Sequence, residues 1–367
     1  MVFIVISMIV ALFFAMNMGA SGAAASMGVA YGSGAVPNKS TALLICAFGV
    51  FLGSAVGGGE VVKTIGSGII PSSIISVQIA LIILLAATLT LFIANLMGIP
   101  LSTSEVTVGA IVGVGIAFQS VYIHKLLVVI SFWLIVPLIA FGLTFLAGIV
   151  LSKWKRIQGY KHARWGKGLK VLLILTGLME AFSAGMNNVS NAVGPLVGAG
   201  LISISTGTIL GGLFIALGVL LLGGRVIETN GKKITNLSLI QGSAVSGFGA
   251  GLVIICSLLG MPVPITQITT AGIFGIGVSE HGMQLWQKGI IKRMLKVWLV
   301  SPVFSLVISY GTVKLFFESD FYTVVAILCV FIATIGTMSL FKSTKKERRD
   351  AAYPATDKKQ INSYLIK

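Results

Sequence analysis

Between two long apolar runs the sequence reads FSAGMNNVSNAVGP (182–195). Its asparagines and serines offer N–H and O–H donors without charge. A glycine and polar side chains inside an apolar span predict a break in the helix. The half-helix after such a break presents unpaired N–H groups and a partial positive charge, which together bind an anion. A second pair of interruptions adds hydroxyls and an amide. In GIPLSTSE (98–105), Ser102, Thr103 and Ser104 follow Pro100; in GMPVPITQ (260–267), Thr266 and Gln267 follow Pro262. For any one of these residues the simpler role is a hydroxyl bonded back to its own helix, or a small residue that lets helices approach. Breaks in two matched pairs point to a binding site. No nucleophile–base pair, nucleotide-binding loop or metal-ligand spacing accompanies them, so no enzyme is expected. Four carboxylates lie in apolar surroundings: Glu60, Glu105, Glu180 and Glu228. Glu60 with Lys63, and Arg225 with Glu228, stand three apart on one helix face and are expected as structural ion pairs. Glu105 and Glu180 have no cation nearby in sequence. They are candidate proton sites, since burial favours the neutral carboxyl. The competing role for each is a carboxyl held by hydroxyl or backbone donors.

The elements that position these residues are set by composition. Of 367 residues, 56% are hydrophobic, 10% are charged and 45 are glycine. Mean hydropathy is +1.01. Stretches such as 73–97, 126–151 and 321–341 are long enough to cross a hydrocarbon core of ~30 Å. They are too continuously apolar for the alternating strands of a barrel. The fold expected is therefore all-α and polytopic, an inverted-topology repeat with broken helices and about eleven crossings, the glycines serving close helix packing. The first 26 residues resemble a secretory signal but lack a basic start, and are read as a first membrane helix. Cys46, Cys256 and Cys329 lie in separate apolar runs and form no disulfide or zinc framework.

The net charge of +16 is concentrated in KWKRIQGYKHARWGKGLK (153–170) and the tail KSTKKERRD (342–350). Both flank apolar spans, as cytoplasmic loops do, so no nucleic-acid partner is expected. This orientation, with the loop near Lys288, Lys292 and Arg293 inside and ESD (318–320) outside, puts the C-terminus in the cytoplasm of a plasma-membrane protein. Three segments recur in order at an offset of about 160–170 residues, the kind of duplication transporters show: MNMGASGAAASMG with SAGMNNVSNAVG, GEVVKTIGSGI with GRVIETNGKKI, and GIPLSTSE with GMPVPITQ. The organisation expected is a first repeat over 1–152, a basic linker over 153–170, a second repeat over 171–316, a last helix over 317–341 and a cytoplasmic tail over 342–367. The two copies then insert in opposite senses, with the N-terminus outside.

The residues from Gly185 to Ala192, GMNNVSNA, resemble the signature GANDVANA of the PiT-type inorganic phosphate transporters; Gly19 to Ser26 follow it poorly. RVIETNGKKIT (225–235) and GIPLSTSE also look like segments of that family, and the likeness extends over the apolar region to about residue 340. The resemblance implies a substrate site at Ser21, Gly22, Ala23, Ser102, Thr103, Ser104, Asn187, Asn188, Thr266 and Gln267. Each signature of the phosphate-carrying members holds an aspartate. Here those positions are Gly22 and Asn188, a departure that resembles the sulfate-permease branch of the family.

Chemistry favours the same substrate. Sulfate is fully deprotonated and only accepts hydrogen bonds, whereas phosphate near neutral pH donates one to a carboxylate. An uncharged site of N–H, amide and hydroxyl donors suits sulfate; thiosulfate, molybdate and phosphate remain alternatives. Without the aspartates sodium is not an expected coupling ion, no other cofactor is implied, and protons are. Moving a dianion inward against 100 mV costs roughly 4.6 kcal/mol, so accumulation needs at least two cations. The function expected is proton-coupled sulfate import by alternating access, as a monomer or homodimer in the lipid bilayer. The alternatives are a sodium-coupled phosphate transporter and an anion channel.

Overall fold

The computed structural model describes residues 1–96, 101–158, 166–229, 237–282, 290–327 and 329–330. Every regular element among them is helical. In chain order these are α1 (Val2–Ser21), a 3-10 segment Ala23–Met27, α2 (Gly28–Gly32), α3 (Lys39–Gly57), α4 (Gly59–Lys63) and a π-helical segment Thr64–Gly68. There follow a 3-10 segment Ser72–Ile74, α5 (Val77–Leu96), α6 (Thr103–Ala117), α7 (Ile123–Gln158), α8 (Gly166–Gly198), α9 (Ile204–Leu222) and α10 (Gly224–Thr229). The last are α11 (Leu239–Leu258), α12 (Ile265–His281) and α13 (Ile290–Phe317), after which residues 321–327 are helical again. Eight helices among the described residues are long and apolar enough to cross a membrane. Two more, α6 and α12, are shorter, at 15 and 17 residues. The outward apolar face is plain on α7, where Leu134, Leu138 and Leu146 are 66%, 69% and 60% exposed. In water such a surface would be unstable; in lipid it is solvated. The protein is an all-α, multi-pass membrane protein.

Two compact units divide the chain, Met1–Tyr310 and Gly311–Lys367. In the first, glycine decides how close the helices come. A Cβ on Gly53 would collide with the carbonyl of Phe182, and one on Gly185 with the carbonyl of Val50, so α3 and α8 touch backbone to backbone. Gly19 and Gly218 do the same for α1 and α9, against the carbonyls of Ile215 and Met16. The short helices pack in the same manner. Gly109 and Gly113 of α6 lie on the carbonyls of Pro302 and Leu306 in α13, and Gly275 of α12 lies on the carbonyl of Phe141 in α7. The hydroxyl of Ser305 also donates to the carbonyl of Val106 at 2.7 Å.

Three of the four expected breaks are present and one is not. The chain leaves the α-helix at Gly22, and helices restart at Thr103 and Ile265 after non-helical residues. Residues 182–195 are unbroken: α8 runs through them to Gly198, with Pro195 inside it. The correction has a local cause. The hydroxyls of Ser183 and Ser190 donate to the carbonyls of Glu180 and Asn187 within the helix, at 2.8 and 2.7 Å. The asparagine amides find partners outside it, and Gly185 serves the contact with α3.

The expected pair of Lys63 and Glu60 forms at 2.6 Å, with both side chains more than half exposed. Glu228 makes an ion pair not foreseen from its spacing, with Lys39 at 2.9 Å, tying α10 to α3. Arg225 stands on α10 with Glu228. In the second unit, Lys314 pairs with Glu318. Asp320 caps the helix that begins at 321, accepting from the Thr323 N–H at 3.0 Å and its hydroxyl at 2.6 Å. These bonds hold the Asp320 carboxyl below the usual range. Pro100, residues 159–165 of the basic segment, Lys288 and the tail 342–367 lie outside the described residues, as do the side chains of Lys292 and Arg293.

Candidate functional site

Four elements bring the predicted residues together: the end of α1 with its 3-10 extension, the start of α6, the middle of α8 and the chain leading into α12. Ser102 caps α6 by accepting from the Glu105 N–H at 3.4 Å, which starts the helix at Thr103. Thr103 and Ser104 then face α8. The Thr103 hydroxyl donates to Asn188 Oδ1 at 3.0 Å. Asn191 Nδ2 donates to the hydroxyls of Thr103 and Ser104, both at 3.3 Å, and Asn187 Nδ2 reaches Ser104 at 3.3 Å. All five side chains are buried.

Asn187 has a further role. Its Nδ2 donates to the Val263 carbonyl at 2.7 Å, and its Oδ1 accepts from the Val263 N–H at 3.2 Å. One amide thus satisfies both backbone groups of a non-helical residue buried in the membrane, where an unpaired group is costly. Trp133 supports the same segment, its indole N–H donating to the Pro262 carbonyl at 2.9 Å.

The first signature meets the second here. A Cβ on Gly22 would come 3.9 Å from Asn188 Nδ2, at ordinary contact distance. Next to it, the Ala23 carbonyl is freed by the change to 3-10 geometry. It accepts from the Ser26 hydroxyl at 2.5 Å and the Cys46 thiol at 3.1 Å. Ser21, expected as a ligand, donates its hydroxyl to the Asn17 carbonyl at 2.9 Å. Thr266 is half-buried on the first turn of α12.

Gln267 lies deeper and donates to Glu105, whose second oxygen accepts from Ser301 on α13 at 3.2 Å. Glu180 is 7% exposed on α8 and accepts from Thr269 of α12 at 3.1 Å, with Ser246 of α11 beside it. Both expected proton carriers are therefore buried among neutral donors. Sequence reasoning missed Asn191, Val263, Ser246, Thr269 and Ser301. Asn191 stood in the quoted signature one turn beyond Asn187, a spacing that puts both on one face. The others carried no local signal.

A pair of interrupted helices, with amide and hydroxyl groups gathered between them in an all-helical membrane protein, is the arrangement in which transporters hold substrate. The phosphate transporter family matches residues 18–309, and the chain belongs to that family. It is 56% identical over 338 residues to the sulfate permease CysP of Bacillus subtilis, covering 92% of this chain and 95% of that protein. A Pyrococcus abyssi protein that carries a phosphate permease name is 30% identical over 393 residues, covering 83% of this chain and 96% of its own. Among solved structures, a sodium-dependent phosphate transporter superposes with a TM-score of 0.73 at 24% identity, over 86% of this chain and all of that one, and shares the fold.

Proposed function

We propose that the protein imports sulfate across the plasma membrane together with protons, by alternating access between two inverted repeats. The observation that carries this reading is the placement of Gly22 opposite Asn188, where a side chain on Gly22 would begin 3.9 Å from the Asn188 amide nitrogen. These are the two positions where the family resemblance implies aspartates, and here they are neutral neighbours. Around them stand Thr103, Ser104 and Asn191, whose donors now bond one another. A dianion that enters exchanges those internal bonds for bonds to itself, so no buried donor loses its partner in either state. An aspartate at either position would repel it. The high identity with a sulfate permease agrees with this choice.

The repeat is supported by contacts between equivalent residues. Glu105 and Gln267 are the last residues of the matched segments GIPLSTSE and GMPVPITQ, and they bond each other. Gly22 and Asn188 hold equivalent places in the two signatures. Equivalent residues touch only where a pseudo-two-fold axis passes between them. The packing of α6 on α13 and of α12 on α7 is the same exchange made twice. With the basic segments inside, the N-terminus lies outside and the C-terminus in the cytoplasm.

Protons are the coupling ion in this reading, taken up by Glu105 and Glu180. Sodium-coupled phosphate transport is the competing reading, drawn from the names of the Pyrococcus abyssi relative and the solved structure. Purified protein in liposomes, loaded to impose either a proton or a sodium gradient, separates the two. Labelled sulfate should accumulate under the proton gradient, with weak competition from phosphate. Accumulation that needs sodium and is blocked by phosphate would overturn the proposal.

A further inference from the structure

Ten carboxylates occur in the sequence, and five precede Tyr310: Glu60, Glu105, Glu180, Glu228 and Glu280. Three of these have no need of a proton. Glu60 is exposed and paired with Lys63, Glu228 is paired with Lys39, and Glu280 is exposed and accepts from Gln241 at 2.5 Å. Glu105 and Glu180 differ in kind. They are 3% and 7% exposed and bonded by neutral donors. Gln267 and Ser301 face Glu105 from α12 and α13. Thr269 and Ser246 face Glu180 from α12 and α11, and the Cys46 thiol on α3 is close enough to feel its charge. No cation stands among these partners. A bare carboxylate so placed in a membrane is expensive, and a proton removes the expense.

The duplication shows that each of these sites exists once. The mirror of Glu105 is Gln267, its own bonding partner, so one copy supplies the carboxyl and the other an amide. Glu180 stands five residues before Gly185; the residue five before Gly19 is Phe14, which is fully buried. Thr269 stands two after Gln267, and its mirror two after Glu105 is Thr107. The Thr269 hydroxyl serves Glu180. The Thr107 hydroxyl is buried with no partner among the described residues, as expected of a donor whose carboxyl has been replaced by a phenyl ring. The second copy holds a hydroxyl bonded to a carboxyl where the first has an unpartnered hydroxyl and a phenylalanine.

We infer that each cycle carries one sulfate and two protons, one on Glu105 and one on Glu180, so that transport moves no net charge. This rests on the reading of the protein as a proton-coupled sulfate importer. An O–H bond forms on each carboxyl from the outer solution and breaks toward the cytoplasm, while sulfate crosses as the dianion. The two added positive charges cancel its two negative ones. The membrane potential, which opposes a lone dianion, then neither drives nor resists uptake.

The test is the equilibrium sulfate ratio across liposomes containing the purified protein, with pH gradient and potential set independently by buffers and by potassium with valinomycin. The ratio should rise about 100-fold for each pH unit, two protons at tenfold each, and stay unchanged with potential. A tenfold rise per pH unit, or a ratio that follows the potential, would overturn the two-proton stoichiometry and leave proton-coupled import standing. Uptake indifferent to pH would end both. Glu105→Gln and Glu180→Gln should each lose accumulation driven by the pH gradient. Either variant accumulating with the full 100-fold slope would remove that residue as a carrier. The wild-type slope decides the stoichiometry even where a variant fails to fold.

Discussion

Asn187 and Asn188 are neighbours in one signature, yet their amides do different work. Asn187 gives both its polar atoms to the backbone of Val263 and so holds the entry to α12. Asn188 receives one bond, from Thr103, and faces Gly22. Asn187→Ala would strand a buried N–H and a buried carbonyl, at about 2–6 kcal/mol for the two together. The melting temperature in detergent should fall by several degrees, and a loss of transport without that fall would assign Asn187 to the substrate instead. Thr103→Val removes the donor to Asn188 and an acceptor for Asn191 while preserving shape. It should raise the KM for sulfate several-fold and leave the fold intact; an unchanged KM would place Thr103 outside the site.

At the scale of elements, neither proline nor glycine by itself marks an interruption. Pro262 lies in the non-helical stretch before Ile265, where a residue without an N–H cannot continue the hydrogen-bond ladder, yet Pro137, Pro195 and Pro302 stand inside α7, α8 and α13. Gly185 and the asparagines imitated the same signal but stay helical. Their amides bond α6 and Val263, partners 76 to 88 residues away in sequence, with Asn191 Oδ1 left buried without a partner among the described residues. No local pattern reveals such distant partners. Gly185 is there for contact: Gly185→Ala, like Gly53→Ala, would press a methyl into the facing backbone and cost about 1–3 kcal/mol. Thermal melts should show both variants less stable than Ala substitutions at open positions such as Gly251. Equal melting would mean the α3–α8 contact is looser than described.

For the whole molecule, the membrane class and the candidate site were legible because burial in lipid forces long apolar helices and makes every polar cluster conspicuous. Gly22, Thr103, Ser104, Asn187 and Asn188 did converge, as did Gln267 with Glu105. The link of Glu228 to Lys39 and the support from Ser301 were not legible, since each joins elements far apart in sequence. The central claim is that the two signatures meet as an uncharged pocket that takes a dianion. Asn188→Asp tests it most directly, because the carboxylate keeps the bond from Thr103 but puts a negative charge where the amide N–H donor stands. Sulfate binding to the purified protein, measured by calorimetry against Asn188→Ala, should weaken ~10-fold or more in the Asp variant and less in the Ala variant. Sulfate affinity unchanged by the aspartate would contradict the account.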